Sequence, residues 1–385
     1  MDIVNKKINF YYIGMGLLTF KIFNMFSILI QLPSLINAII TSTIAVSFLV
    51  HYVQHKDTKK EIIIIGILAI FIAYTYWITK ELMIVLTFLA IVSFKDVKLE
   101  NILKIILTIN IALMLIHIIM YIFCYIFSKE NIVYFYNANM EMRHTFLLTH
   151  PNNVGKIIMW SFAMYTYLEN DHIKRNFIIG IVLAIFLYVF PESRTSTLGI
   201  VLILILNLVV RLKDTKGYIL KVLKIMCKML FVVLSIVIMF IIVQYNKFPS
   251  SIQTAVDNID KVLSRRIWFS RLGYEKYGDS ILPQYIEYKA SVYQNGTLKS
   301  HQLLLDCTYT KLPINYGYIY TIMISILLYK ITPRLSKKEL TFVLLFIVLS
   351  ISESYILEIT LAFPILILAS HIYDSKETRI RRGEK

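Results

Sequence analysis

The chain has 385 residues, 57% of them hydrophobic, and its 40 Lys and Arg against 24 Asp and Glu give a formal net charge of +16. That apolar share exceeds the ~45–50% of soluble domains, which excludes an ordinary water-soluble fold. The basic excess lies largely in short loops between apolar runs. It therefore points to membrane topology and not to nucleic acid.

Lys6 and Lys7 precede a long apolar run without a small-residue cleavage site, so the N-terminus reads as a first anchor. Spanning helices need ~17–25 predominantly apolar residues. Candidate spans fall at 9–30, 33–53, 61–78, 81–94, 101–127, 149–168, 176–190, 196–211, 221–245, 312–330, 338–352 and 354–372. The runs are continuous and not alternating, which favours helices over a transmembrane barrel. Pro33 opens the second span, as suits a first helical turn. The expectation is an all-α, polytopic integral membrane protein with about 12 transmembrane helices. Residues 1–245 form an N-terminal bundle, 246–311 a long extracytoplasmic loop, and 312–385 the last helices and a basic tail.

With twelve spans the main cation groups fall on one side: Lys56, Lys59 and Lys60; Lys95, Lys98 and Lys104; Lys174 and Arg175; Arg211 to Lys228; Lys330 to Lys338; and Lys376 to Lys385. Positive loops mark the cytoplasm, so both termini are expected there. Lys80 and Lys129 on the other side each sit beside a Glu (Glu81, Glu130). Lys21, His51 and His117 inside spans read as snorkelling or hydrogen-bonded structural residues. Cys124, Cys227 and Cys307 show no zinc spacing and imply no paired framework.

Four groups remain on the outer side. Arg143 and His144 precede His150-Pro151-Asn152-Asn153, where the Asn residues can cap a helix whose N-terminus favours an anion. Arg194 follows Glu192 in a loop so short that it must lie at the membrane surface. There it pairs with Glu192, snorkels, or binds an anion. In the long loop, Ile252, Val256, Ile259, Leu263 and Ile267 recur at helical spacing, predicting one amphipathic helix from Ser251 to about Tyr277. Arg265, Arg266 and Arg271 on its C-terminal half suit phosphate, since a guanidinium can grip two oxygens. Last, His301 and Asp306 lie just before span ten. Either is a candidate general base, with helix capping the plainer role for Asp306. Glu353, at the outer end of a span, can face the same cavity. Gly-rich phosphate loops and zincin motifs are lacking, and carboxylates are too sparse for a metal site, so neither metal nor cofactor is expected.

His150-Pro151-Asn152, Ser193-Arg194-Thr195, Ser264-Arg265-Arg266 and Leu305-Asp306-Cys307-Thr308-Tyr309 with Tyr316-Gly317 occur in this order. In them the chain resembles the Wzy-type polysaccharide polymerases of the O-antigen ligase/polymerase superfamily. Arg194 and Arg266 match arginines usual in that family. Arg265 stands where Gly is common and Cys307 where Asn is usual. The resemblance implies a GT-C-like helical bundle and metal-independent, inverting glycosyl transfer at the outer membrane face. The donor and acceptor would be undecaprenyl-diphosphate-linked glycans. Arg194, Arg266, Arg265, Arg271, Arg143, His144, His150, Asn152 and Tyr309 would bind substrate or diphosphate, and His301 or Asp306 would take the proton. A flippase and a chain-length regulator are the implied protein partners, with membrane lipids around them and no nucleic acid. A ligase of the same superfamily, a lipid-linked oligosaccharide flippase or other transporter, and a non-enzymatic assembly factor are the competing readings.

Overall fold

A computed structural model describes residues 9–55, 57–128, 135–136, 142–213, 215–288, 292–294, 297–300 and 303–373. In chain order its elements are α1 Phe10–Phe26, α2 Ser34–Val53, α3 Lys59–Thr79, α4 Leu82–Val92, α5 Leu99–Phe127, β1 Phe135–Tyr136, β2 Met142–Arg143, α6 Pro151–Leu168, α7 Ile173–Val189, α8 Arg194–Arg211, α9 Tyr218–Gln244, α10 Ser250–Val262, α11 Arg266–Tyr277, β3 Val292–Gln294, β4 Thr297–Ser300, α12 Thr308–Lys311, α13 Tyr318–Ile331, α14 Lys337–Leu349 and α15 Pro364–Ile372. The strands make only two short antiparallel hairpins, β1–β2 and β3–β4. Helices carry the fold.

The Ile-rich composition of α3 would suit a strand in water. It forms a helix here because a lipid-facing segment must satisfy every backbone group within itself. α2, α3, α5, α8 and α9 (with the short extension to Lys247) are long and apolar enough to cross a membrane, and only 17% to 28% of their most apolar stretches is buried. Among the described residues the remaining apolar faces are unpartnered by protein, which is consistent with lipid contact and a membrane protein.

The chain divides into two compact units: Met1–Gly66, Leu86–Val209 and Glu358–Lys385 form one, and Ile67–Val85 with Val210–Leu357 form the other. In the first, α1 packs on α2 and α5, and α5 on α6. Gly14 lets the Phe48 ring approach α1. Several buried polar side chains of this unit have protein partners: Lys21 Nζ donates to Asn37 Oδ1 (2.6 Å), His51 Nε2 lies 3.0 Å from the Lys95 carbonyl, and Ser27 Oγ meets His117 Nε2 at 2.8 Å. Trp160 and Tyr167 of α6 stack edge-on against Phe363.

In the second unit α9 is the central element, in contact with α11, α12, α13 and α14. Phe231 faces Tyr309 (5.2 Å between centroids), and Cys227 Sγ donates to the Leu340 carbonyl. α14 begins with a capping box of Ser336 and Glu339.

Three expectations from sequence change. Run 312–330 is not one helix: Leu312–Tyr316 form a π-helical turn, Gly317 adopts φ +86°, and α13 starts after it. Backbone bonds from Ser280 to Pro313, Gln284 to Asn315 and Tyr318 to Ser280 hold this break in place. Run 354–372 is helical only from Pro364, and α14 ends at Leu349. Here the Ser350 carbonyl accepts from Thr308 N, and the Glu353 carbonyl from Thr308 Oγ1, so acceptors that would extend α14 are taken by α12. With 13 and 9 residues, α14 and α15 are about 20 and 14 Å long, shorter than a ~30 Å hydrocarbon core. The expected helix Ser251–Tyr277 is two helices, broken where Ser264 (φ +56°) and Arg265 (φ +63°) enter the left-handed region.

Gly317 and Gly66 make a matched test of these packing rules. A Cβ at Gly317 would meet the Leu282 carbonyl carbon at 2.7 Å on a backbone already at positive φ, whereas one at Gly66 meets nothing within 4 Å. Gly317→Ala will lower the melting temperature of the detergent-purified protein, by more than ~1 kcal/mol of stability. Gly66→Ala will leave it equal or slightly higher.

Candidate active site

A buried polar site of the second unit is built on α11. Arg266, its first residue, points inward, and its side chain is 10% exposed. Nη1 bonds Asp306 Oδ2, and Nη2 bonds Glu353 Oε1 at 3.0 Å. Glu353 is 5% exposed, but Asp306 keeps 31% of its side chain open. One guanidinium therefore holds two carboxylates, one sealed and one accessible. A buried cation needs such partners, and so does a buried carboxylate. Ser270 Oγ, one turn on, accepts from or donates to Thr310 Oγ1 at 2.8 Å and donates to the Arg266 carbonyl, tying α11 to α12.

The α10–α11 break is what lets Arg266 turn in. Arg265 stands at the N-cap position, where its side chain can accept nothing, so α11 borrows a cap from α10: buried Asp260 accepts from Ile267 N (2.7 Å) and Trp268 N (3.0 Å). Burial pushes the Asp260 carboxyl above its ordinary value, the two N–H bonds opposing only in part. Arg265 itself is exposed. Its left-handed backbone is one that glycine adopts without steric cost, a physical reason for glycine to be common at a matching position.

A third carboxylate adjoins this site. Glu81 Oε1 accepts from Asn315 Nδ2 at 3.0 Å, and Oε2 accepts from the Tyr316 hydroxyl. The Tyr288 hydroxyl lies 3.4 Å from Asn315 Nδ2, and burial, Glu81 and Asp306 together push its pKa up. Lys311 Nζ sits 5.9 Å from the Tyr288 and Tyr316 ring centroids. The sequence reading paired Glu81 with Lys80 and missed it. Lys80 instead turns back over Trp77 (4.3 Å), at a backbone φ of +59°. The remaining signal was Asn-Tyr-Gly at 315–317, a polar pair beside a glycine.

In the first unit, Arg143 Nε donates to the Pro191 carbonyl (3.1 Å), and Nη2 donates to Asn152 Oδ1 (2.9 Å) and the Glu192 carbonyl (3.3 Å). It thus joins β2 to the start of α6 and to the α7–α8 turn. Burial lowers its pKa, and nearby Arg194 lowers it further against the pull of Glu192. Arg194 opens α8, is exposed, and forms no ion pair among the described residues. Two cations are therefore close together. Gly155 makes this corner possible, because any Cβ there would strike the Ser193 and Ser196 hydroxyls.

Several expected site residues have other work. His150, not Asn152 or Asn153, caps α6, its Nδ1 accepting from Asn152 N at 3.1 Å. His144 bonds the Tyr121 hydroxyl (2.6 Å) among Phe146 and Phe190. Tyr309 is fully buried and donates to the Ile347 carbonyl at 2.6 Å, so it is a core residue. Arg271 stacks on Tyr245 at 3.4 Å and bonds Asn246. Arg266 pairs with Asp306 and Glu353, which gives it a role in holding Asp306. Asp306 faces Arg266 and does not cap α12, whose N-cap position is Cys307. Burial pushes that thiol up to about 11, too high for a thiolate nucleophile at neutral pH. His301 lies outside the described residues.

Comparison with family models, with curated proteins and with solved structures finds no match to this chain. The site therefore rests on its own geometry.

Arg266→Met leaves Asp306 and Glu353 as uncompensated neighbours and will cost ~3–5 kcal/mol, read by thermal unfolding. In a double-mutant cycle, Arg266→Met with Glu353→Gln will cost less than the sum of the single changes; strict additivity would refute the coupling. Asp260 gives a pH signature. Its raised folded pKa contributes stability that is fully present below the ordinary aspartate value of ~4 and fades as pH rises through the raised value. Asp260→Asn will remove that slope from the melting temperature over the same window.

Proposed function

We propose that the protein is a membrane glycosyltransferase that polymerises oligosaccharide repeat units carried on undecaprenyl diphosphate, at the extracytoplasmic face of a bacterial plasma membrane. The carrying observation is the Asp306 carboxylate, partly open and held by a buried arginine that a second carboxylate fixes in place. A base that must take a proton from a sugar hydroxyl needs to be ionised, oriented and reachable. Arg266 fixes the orientation of Asp306, Glu353 and α11 orient the guanidinium, and the exposed part of Asp306 is the reachable edge.

In the proposed reaction Asp306 accepts the proton of the acceptor hydroxyl. That oxygen attacks the anomeric carbon of the donor glycan, and the bond to the diphosphate oxygen breaks on the opposite side. The configuration inverts, and the diphosphate departs with the electron pair. Cations stabilise such a leaving group. Lys311, shortly after Asp306, and Arg265, adjacent to Arg266, are the candidates in this unit. Arg143 and Arg194, in the other unit, are proposed to bind phosphate on their own evidence, since two adjacent guanidiniums favour an anion between them. The resemblance to Wzy-type polymerases supports the same chemistry. So does the membrane character of α2, α3, α5, α8 and α9, because a lipid-linked substrate must be met at a bilayer. The twelve-span topology with both termini cytoplasmic belongs to this proposal.

Asp306→Asn keeps a hydrogen-bonding partner for Arg266 but removes the base. Membranes carrying it will contain the protein and no polymer, with single lipid-linked repeats accumulating at the outer leaflet. Accumulation at the inner leaflet would identify a flippase, and full-length polymer on free lipid carrier would leave a ligase. Arg194→Ala will shorten or abolish polymer. Normal chain length in that variant would remove Arg194 from the diphosphate.

A further inference from the structure

The second unit gathers basic residues from two distant segments at one end of α9. α9 has 27 residues and is about 40 Å long, some 10 Å more than a hydrocarbon core. Lys221, Lys224 and Lys228 lie in its first eleven residues, spaced three and four apart and so along one face. The turn between α13 and α14 comes to this face. Lys224 Nζ donates to the Pro333 carbonyl (3.0 Å), Lys337 Nζ donates to the Leu212 carbonyl (2.7 Å), and Lys228 Nζ lies 4.9 Å over the Tyr329 ring. Arg211, Lys213, Lys216, Lys221, Lys330 and Arg334 are all exposed here. The acidic Glu339 is bound within its own capping box, and Asp214 lies outside the described residues.

Orienting the chain requires cations in these loops, but it does not require loops 120 residues apart to meet. Nor does it account for the apolar groups among them. Leu212 is 56% exposed, Tyr218 65% and Tyr329 57%. Tyrosines and lysines at one level of a spanning helix mark the bilayer interface, and a basic cluster immediately beyond such a helix attracts anionic lipid. We propose that the first turns of α9 and the α13–α14 turn form a binding surface for the phosphate headgroups of anionic phospholipid. The Tyr and Leu side chains there would sit against the acyl region. This rests on the membrane character of α9 and not on glycosyl transfer.

The test uses the full chain, delipidated in a mild nonionic detergent and titrated with phosphatidylglycerol or phosphatidylcholine, with melting temperature as readout. Phosphatidylglycerol will raise the melting temperature, phosphatidylcholine will not, and about 0.5 M salt will abolish the difference. The triple variant Lys221→Gln/Lys228→Gln/Arg334→Gln will need about tenfold more phosphatidylglycerol for the same rise, in line with the loss of several surface cations. The control Lys59→Gln/Lys60→Gln/Lys104→Gln, exposed lysines of the first unit, will respond as the unaltered chain does. An equal response in both triples, or one insensitive to salt, overturns the proposal. If the patch triple fails to fold, Lys221→Gln and Arg334→Gln singly carry the same comparison, and an unshifted titration in both overturns it equally.

Discussion

One buried guanidinium organises the second unit. Arg266 sits between Asp306 and Glu353, residues 40 and 87 positions away, so three separate stretches of chain meet at one charge. Each component is unfavourable alone. A buried arginine without partners, or the buried Glu353 carboxylate without a cation, would cost several kcal/mol. Together they form a site whose geometry is over-determined. One carboxylate is sealed and serves the structure, while the other keeps an open edge and is available for chemistry.

Much of the surrounding irregularity follows from that constraint. α10 and α11 cannot be one helix, because the chain must turn for Arg266 to point inward. The turn takes two left-handed residues and an aspartate that reaches from α10 to cap α11. α14 stops at Leu349, and the Ser350 and Glu353 carbonyls just beyond it accept from Thr308, which sets the stretch of chain carrying Asp306. The π turn at Leu312–Tyr316 and Gly317 then redirects the chain into α13 and presents Asn315 and Tyr316 to Glu81. Three breaks in otherwise helical sequence thus surround one polar site, a pattern in which local regularity yields where polar groups must be paired.

The first unit shows the same economy on a smaller scale. Arg143 uses its guanidinium to close a corner against two backbone carbonyls and Asn152, leaving Arg194 as an exposed cation beside it. Gly155 keeps the helices close enough for this. Arg143 and Arg194 are brought together, whereas His144 and His150 are taken up by aromatic packing and helix capping.

Hydropathy and charge were enough to read a helical chain of membrane character, the positions of most helices and the amphipathic character of α10, and residue type singled out Arg266 and Asp306, which the fold brings together. These are properties of composition and period, and local sequence carries them. The break at Ser264–Arg265, the end of α14, the core role of Tyr309, the capping role of His150 and the recruitment of Glu81 were decided only by tertiary structure. Each depends on which distant donor or acceptor reaches a given group first. In a buried polar network that competition is settled by three-dimensional proximity, to which spacing along the chain is blind.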